Sequence, residues 1–332
     1  MNPTLTISIA TLNRSLLLKE LLDGILKSDE SLGEKVEIDV IVDSESDFET
    51  ISLLRSYNSP FLRFFVVPNG GLSNARNFGA RMARGRFIRL QDDDDLLPPH
   101  SILEMLQSHA QSPDSIFLGK TILHNNADNF MNFAVEKSGF LFNYNSIQKK
   151  RKLTFEDFWG GRVSLPTKFL LEQQFDSNLR FGAEDIEWAY RFSSLHDLKL
   201  CYNPKILSVM NRNMSAGDVL RRSISQGWSN SYIQKKYAGT PLANWALENS
   251  GAFLNFTLEE SILETEFLKQ NLILDETSFE NLYSFVSAGK LQKILSFQEA
   301  LWWRFINLSK SIGYHGYLSG HSQQEIMSMV IS

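Results

Sequence analysis

Short apolar runs alternate with amphipathic segments over the first 125 residues. The runs are rich in β-branched and aromatic residues and predict strands at 5–10, 36–42, 62–67, 86–90 and 115–123. Apolar residues at helical spacing predict helices at 15–26, 48–57, 73–83 and 100–110. Strands that alternate with helices form a mostly parallel sheet covered on both faces, so the pattern predicts an α/β fold. Ligands of such sheets bind at the carboxyl ends of the strands.

The pattern changes twice along the rest of the chain. Residues 126–215 are less regular, with strand-like pieces at 139–144, 200–204 and 206–210 around a helical segment at 184–195. From residue 216 onward every long segment has helical periodicity. We therefore expect a domain at 1–215, with a regular α/β half at 1–125 and a less regular half at 126–215, followed by an α-helical region at 216–332.

Charge and cysteine content narrow the classes of function. The formal net charge of −5 argues against nucleic acid as the main partner, because phosphate binding requires a basic face. Cys201 is the single cysteine, so the chain forms no internal disulfide, which fits a reducing compartment. The N-terminus lacks the features of a signal peptide, and no run of about 18 apolar residues is present. We expect a cytoplasmic enzyme; peripheral contact with a membrane and oligomer formation through the C-terminal helices stay open.

Four consecutive aspartates, Asp92 to Asp95, follow the predicted strand at 86–90. Neighbouring carboxylates repel one another, and the repulsion grows where water is excluded. On an extended chain Asp92 and Asp94 point the same way, an arrangement that suits Mg²⁺ or Mn²⁺ because both ions prefer carboxylate oxygen. A solvated acidic turn is the structural alternative.

Other strand ends carry a second group of candidates. Asp43 ends the second predicted strand, where a carboxylate can accept hydrogen bonds from a base or a ribose, or can cap the next helix. Gly70 and Gly71 permit close approach of the backbone, and Arg76 adds positive charge to the helix that follows. These features suit a diphosphate, or alternatively form a glycine turn with a surface arginine.

Glu184 and Asp185 open the predicted helix at 184–195. The helix dipole stabilises carboxylates at this end by roughly 0.3–1 kcal/mol, which favours the ionised form. An ionised carboxylate in a cleft can act as a general base. The alternative is that both acids only cap the helix.

Four segments occur in the order LTISIATLNR, VIVDSESD, PNGGLSNARNFGARMARGRFIRLQDDDDLLPP and FGAEDIEWAYRF. Together they resemble the family-2 type of GT-A-fold glycosyltransferases over about residues 4–210. The stretch 158–192 also resembles the acceptor half of galactosyl- and chondroitin-type transferases. The resemblance implies a GT-A mixed, mostly parallel sheet flanked by helices, in which residues 1–125 are the nucleotide-binding half and residues 126–215 the acceptor half. It also implies inverting transfer of a sugar from a nucleoside diphosphate, with UDP expected, to a hydroxyl of a glycan or other acceptor.

The resemblance also implies roles for individual residues. The nucleotide pocket would contain Ala10, Thr11, Asn13, Asp43, Arg76, Asp92 and Asp93. Asp92 and Asp94 would bind Mn²⁺ or Mg²⁺, with Asp94 the better candidate for direct contact and Asp93 touching the ribose or the metal. Asp185 would be the base and Glu184 would orient the acceptor. The loop under the donor or acceptor sugar would be Trp159, Gly160 and Gly161.

Two departures from the family pattern leave alternatives open. The second strand ends in one acid instead of two, and Met210 or Asn211 stands where a metal-binding histidine is expected. His124 and His196 are possible substitutes, although a lone histidine is more often structural. Arg212, Arg221 and Arg222 either supply positive charge to a diphosphate from a mobile loop or are plain surface charge. A nucleotide-sugar-binding protein with a decayed site is therefore an alternative. A sugar nucleotidylyltransferase is less favoured, because ATLNRSLLLKE has no glycine to form its phosphate loop.

Overall fold

The computed structural model describes residues 3–27, 35–125, 127, 129–147, 152–269 and 288–331. The chain forms two compact units. The first unit comprises Met1–Asn126, Gly139–Arg180 and Glu184–Arg212, and the second comprises Ala127–Ser138, Phe181–Ala183 and Asn213–Ser332. The sequence-based boundary at residue 215 stays a prediction.

The first unit is built on an eight-stranded sheet with the order β3-β2-β1-β4-β7-β6-β8-β5. The strands are β1 (Leu5–Thr11), β2 (Val36–Val42), β3 (Leu62–Val66), β4 (Phe87–Asp92), β5 (Asp95–Leu96), β6 (Ile116–Leu123), β7 (Val163–Pro166) and β8 (Leu200–Met210). Strands β3, β2, β1 and β4 are parallel neighbours, as are β6 and β8. Strand β7 is antiparallel to β4 and to β6, and β5 is antiparallel to β8. The sheet is therefore mixed and mostly parallel, as the sequence predicts.

Helices cover this sheet. They are α1 (Ser15–Leu26), α2 (Phe48–Ser56), α3 (Leu72–Met82), α4 (Pro99–Gln111), α5 (Thr167–Glu172) and α6 (Glu184–Leu195). Helix α1 shows why the pattern works: Leu18, Leu21, Leu22 and Ile25 follow helical spacing, and all four are buried in the core with the side chains of β1. Burial of each such side chain contributes about 1.5–3 kcal/mol. Single turns of helix lie at Tyr144–Ile147, Phe155–Asp157 and Gly160–Arg162.

The four aspartates do not lie on one continuous strand. Asp92 ends β4, Asp93 and Asp94 form a turn, and Asp95 begins β5. Asp95 pairs with Met210 of β8, and the N–H of Asn211 donates to the carbonyl of Asp94 at 2.9 Å. The chain thus passes from the middle of the sheet to its edge strand within two residues. The expectation of an extended run with strict alternation is wrong, because pairing with β8 turns the chain at Asp93.

Two segments of the acceptor half differ from the prediction. The strand-like piece at 139–144 forms no strand; Gly139 has a φ of 70°, and Tyr144 begins a helical turn. The pieces at 200–204 and 206–210 form one continuous strand, β8, in spite of Pro204. Strand β7, with the sequence VSLP, was not predicted because four buried residues carry no readable period.

The second unit is helical, which confirms the predicted C-terminal helical region. Its helices are α7 (Ala216–Lys236), α8 (Pro241–Glu248), α9 (Leu258–Lys269), α10 (Ala288–Leu318) and α11 (Gln323–Ile331), after short helical turns at Asn129–Asn132 and Phe133–Lys137. Helices α7 and α10 approach so closely that a Cβ at Gly227 would overlap the Lys310 carbonyl, and one at Gly313 would overlap the Ile224 carbonyl. Glycine at both positions lets the two backbones touch.

Trp302 belongs to the aromatic segment 300–305 and lies inside this helical unit. It is 1% exposed and packs against Phe130 and Phe133 at ring distances of 5.5 and 5.2 Å. Its neighbour Trp303 is 38% exposed. Trp302 therefore belongs to the core of the helical unit, whereas Trp303 is partly exposed. None of the helices in the described part of the chain combines the length and apolar character needed to cross a bilayer.

Candidate active site

Arginines surround the aspartate run at the carboxyl ends of β1 and β4. Asp92 contacts Arg76 at 3.3 Å and Arg162 at 3.0 Å. Arg14 contacts Asp93 at 2.9 Å and Asp94 at 3.1 Å. Arg212 contacts Asp94 at 2.8 Å. Four guanidinium groups thus offset the repulsion among the carboxylates, and each aspartate has a different set of partners.

Asp95 and Arg162 form an ion pair that is fully buried. Burial raises the pKa of Asp95, against the opposing effect of Arg162. Burial alone would lower the pKa of Arg162, but Asp95 and Asp92 raise it above its ordinary value. The guanidinium also donates from Nε to Thr121 Oγ1 at 2.5 Å and from Nη1 to the Gly161 carbonyl at 2.9 Å. Arg162 is thereby held in one place beneath Asp92.

Asp92, Asp94 and Asp95 fit a divalent cation by the chemistry of their donors. Each offers a carboxylate oxygen, these oxygens lie within 4.8 Å of one another, and no other such cluster of acids, histidines or cysteines occurs among the described residues. Hard oxygen ligands are those that Mg²⁺ and Mn²⁺ prefer. Asp92 is the most open, with 35% of its side chain exposed, whereas Asp95 is fully buried against Arg162. Asp94 is also buried, at 9% exposure of its side chain, and neither His124 nor His196 belongs to the group.

The loop after β1 lies beside the aspartate run. Ala10 pairs with Asp92 in the β1–β4 register, and Thr11 Oγ1 donates to Asp93 at 2.7 Å. Asn13 adopts a left-handed φ of 54°, and its N–H donates to Asp47 at 2.6 Å. This conformation is uncommon outside glycine, and asparagine adopts it more readily than most other residues. The predicted nucleotide residues Ala10 and Thr11 therefore adjoin the predicted metal ligands.

Asp43 shapes the glycine turn at the end of β3. Its two carboxylate oxygens accept from the N–H groups of Gly70 and Gly71, both at 2.9 Å. Gly71 has a φ of 86°, which favours glycine. Burial raises the pKa of Asp43, while the two backbone N–H groups oppose that shift. The predicted contact between Asp43 and a base stays a prediction.

Arg76 and Gly160 connect the aspartate run to Glu184 and Asp185. Buried Arg76 donates to Glu184 at 2.8 Å, and the Gly160 N–H donates to Asp185 Oδ2 at 2.9 Å. Ala183, just before the two acids, has a left-handed φ of 61°. Both acids open α6, as predicted, but their side chains have different surroundings: Glu184 is buried and Asp185 is half-buried.

The Trp159-Gly160-Gly161 loop lies against these groups. A Cβ at Gly160 would come within 2.5 Å of Arg76 Nη1, and one at Gly161 would overlap the Asp92 carboxylate. Trp159 packs against the rings of Phe142 and Tyr144. Glycine at these two positions therefore leaves room for the side chains of Arg76 and Asp92.

Sequence reasoning missed three residues: Arg14, Arg162 and Asp95. Arg14 directly follows the predicted nucleotide segment, and Arg162 directly follows the glycine pair. The available signal was charge balance, because four aspartates brought near a sheet require nearby cations. Asp95 was overlooked because a strict D-x-D alternation assigned it no role.

Residues 6–180, more than half of the chain, match the family model Glycosyl transferase family 2. The chain belongs to glycosyl transferase family 2. Two curated relatives are an uncharacterized glycosyltransferase of Haemophilus influenzae, 27% identical over 114 residues, and the glycosyltransferase GlyG of Streptococcus pneumoniae, 21% identical over 171 residues. These matches cover 34% and 50% of this chain but only 37% and 56% of the two relatives. The chain thus spans about a third to about half of the length of these relatives, and the predicted membership of family 2 is confirmed.

Solved structures share the fold of this family-2 chain. S. aureus TarS 1–349 has a TM-score of 0.51 and 16% identity, over 96% of this chain and 92% of that one. The mannosyltransferase PcManGT from Pyrobaculum calidifontis, solved with GDP-Man and Mn²⁺, has a TM-score of 0.57 and 15% identity, over 96% and 88%. The GT-A fold prediction is confirmed. The resemblance of 158–192 to galactosyl- and chondroitin-type transferases stays a prediction.

Proposed function

We propose that this chain transfers a sugar from a nucleoside diphosphate to an acceptor hydroxyl, with inversion at the anomeric carbon. One observation carries the proposal: Arg76 contacts both Asp92 and Glu184, so the aspartate run and the acids that open α6 belong to one charged network. A donor bound at the aspartates and a base on α6 would then act on the same sugar. This arrangement replaces a bimolecular encounter with a positioned one.

The donor is a nucleotide sugar, and UDP is the expected nucleotide. TarS 1–349 has been solved with UDP, and PcManGT with GDP-Man and Mn²⁺. Asp92 and Asp94 would hold Mn²⁺ or Mg²⁺, which would supply electrostatic stabilisation of the leaving diphosphate. Thr11 ends β1 and donates to Asp93, and Asn13 lies two residues further along the chain, which supports a nucleoside site beside β1.

Asp185 is the proposed general base. The acceptor oxygen attacks the anomeric carbon and its proton passes to Asp185. The bond from that carbon to the diphosphate oxygen breaks, and the nucleoside diphosphate leaves with the electron pair. The Gly160 N–H orients the carboxylate, because it donates to Oδ2. Glu184 keeps Arg76 in place, and Trp159, Gly160 and Gly161 border the sugar; the acceptor is a hydroxyl of a glycan or a related molecule.

Asp185→Asn tests the base directly. The amide cannot accept the hydroxyl proton, so we expect turnover to fall by about 10²–10⁴-fold while donor binding persists. The measurement is release of nucleoside diphosphate from a panel of nucleotide sugars with MnCl₂ and acceptor hydroxyls, with donor binding followed by thermal shift. Turnover of the variant within a few-fold of wild type would show that Asp185 is not the base.

The same panel, extended by a nucleoside triphosphate with a sugar phosphate, separates the alternative functions. A binding protein with a decayed site would gain thermal stability from a nucleotide sugar but release no diphosphate. A nucleotidylyltransferase would form pyrophosphate from a nucleoside triphosphate and a sugar phosphate. The proposed transferase releases nucleoside diphosphate from the nucleotide sugar and forms no pyrophosphate.

A further inference from the structure

Two arginines from different parts of the sheet contact the same carboxylate oxygen. Arg212 Nε lies 2.8 Å from Asp94 Oδ2, and Arg14 Nη1 lies 3.1 Å from that same atom. The Asp94 side chain is only 9% exposed. A divalent cation that coordinates Asp94 would therefore meet two guanidinium groups at its ligand, and like charges repel more strongly where water is scarce.

The two arginines differ in the number of carboxylates that they contact. Arg14 makes a second ion pair, at 2.9 Å to Asp93, which Thr11 also contacts. Among the described residues, Asp94 is the one acid with which Arg212 forms an ion pair. Arg212 also lies two residues beyond the end of β8, in a stretch that is neither helix nor strand. If a cation takes Asp94, Arg14 keeps its ion pair with Asp93, whereas Arg212 loses the ion pair that it makes to Asp94.

We infer that Arg212 is the counter-ion of Asp94 in the cation-free protein and moves to the donor diphosphate when a divalent cation binds. The inference rests on the proposed function and adds an order to it. The cation takes the carboxylate from Arg212, and the freed guanidinium pairs with phosphate oxygens, for which its planar donors are well suited. Binding of the cation and of the nucleotide is then coupled, and the coupling is reciprocal.

Arg212→Gln should change the affinities for Mn²⁺ and for UDP in opposite directions. Without a nucleotide, Mn²⁺ should bind the variant about three- to tenfold more tightly than wild type, because one competing cation is gone. With Mn²⁺ present, UDP should bind the variant about tenfold more weakly, because a charge-assisted contact is lost. Titration calorimetry measures both, first with Mn²⁺ alone and then with UDP at saturating Mn²⁺; GDP replaces UDP if UDP does not bind.

Lys168→Gln is the matched control. It also removes one positive charge from the first unit of the protein. Lys168, however, pairs with Asp114 at the surface and contacts none of the four aspartates. We expect Mn²⁺ and UDP affinities within twofold of wild type. Arg212→Lys should retain weak Mn²⁺ binding without nucleotide, because the positive charge remains, but should recover UDP affinity only in part.

The outcomes separate this inference from the proposed function. Unchanged or weaker Mn²⁺ binding by Arg212→Gln, in a variant that unfolds at the wild-type temperature, overturns the counter-ion role. Tighter Mn²⁺ binding with unchanged UDP affinity overturns the transfer to the diphosphate. In both cases wild-type binding of UDP with Mn²⁺ would leave the proposed function standing. If wild type binds neither Mn²⁺ nor a nucleoside diphosphate, both proposals fail.

Discussion

The acids of the site differ in what their carboxylates already contact. Asp43 uses both oxygens on the backbone of Gly70 and Gly71, so it positions a turn. Asp95 is buried against Arg162, which makes it a support for Asp92 more than an open ligand. Asp185 has one oxygen on the Gly160 N–H and one on the Ile186 N–H. Residue type alone separates none of these roles; the partners do.

His109 gives a prediction about pH that is independent of the catalytic chemistry. It stacks on Phe87 at 4.1 Å and lies 3.1 Å from Ser164 Oγ. Burial lowers the pKa of His109 to about 4, with a smaller effect from Arg86. Between about pH 6.5 and 4 the unfolded chain binds a proton that the folded chain does not, so His109 reduces stability as the pH falls through that window.

His109→Phe should remove this loss. The unfolding free energy of the variant minus that of wild type should rise as the pH falls from 6.5 to 4.5, by up to about 1.4 kcal/mol per pH unit. Urea unfolding at several pH values measures the difference, in which other titrating groups cancel. A difference that stays constant between pH 7 and 4.5 would mean that His109 can be protonated in the folded protein.

The short turn Gly160–Arg162 connects several parts of the site. Arg162 reaches Asp92 and Asp95 on two strands, Gly160 binds Asp185, and Gly161 lies directly against Asp92. A turn of three residues therefore positions both the proposed metal ligands and the proposed base. Its glycines are required by close side-chain approach, because neither has a positive φ.

Gly161→Ala should displace Asp92, because the added Cβ would overlap its carboxylate. We expect Mn²⁺ affinity to fall about tenfold, the equivalent of about 1.4 kcal/mol. Gly24→Ala in α1 is the control, since nothing lies within 4 Å of its Cβ, and it should leave Mn²⁺ affinity unchanged while stabilising the helix by about 0.5–1 kcal/mol. Mn²⁺ titration of both variants measures this; equal affinities would show that Asp92 does not need this packing.

Elements with a clear period could be predicted from sequence, and those set by distant pairing could not. Helix α1 and strand β2 occur at the predicted residues, because each buries a face or a whole run locally. Strand β7 and the turn at Asp93 depend on pairing with β4, β6 and β8. The same holds for the candidate site. Its acids could be predicted because they follow strands, whereas the contacts of Arg14 and Arg162 with the aspartates depend on the tertiary fold.

The negative charge of the aspartate run is balanced by arginines that contact it directly, and not by the net charge of the chain. A chain with a formal net charge of −5 places four arginines around four adjacent aspartates in its sheet unit. This concentration of both signs suits a ligand that is itself an anion bound with a cation, as a nucleoside diphosphate with Mn²⁺ would be.

We expect the aspartate run to bind a nucleoside diphosphate through a divalent cation. Calorimetric titration of UDP, or of GDP if UDP does not bind, with and without Mn²⁺ tests it in wild type and in an Asp92→Asn, Asp94→Asn double variant. We predict binding to wild type that weakens at least tenfold without Mn²⁺, and a double variant in which Mn²⁺ no longer strengthens binding. Equal nucleotide affinity in wild type with and without Mn²⁺, or the same Mn²⁺ effect in the double variant, would contradict the account.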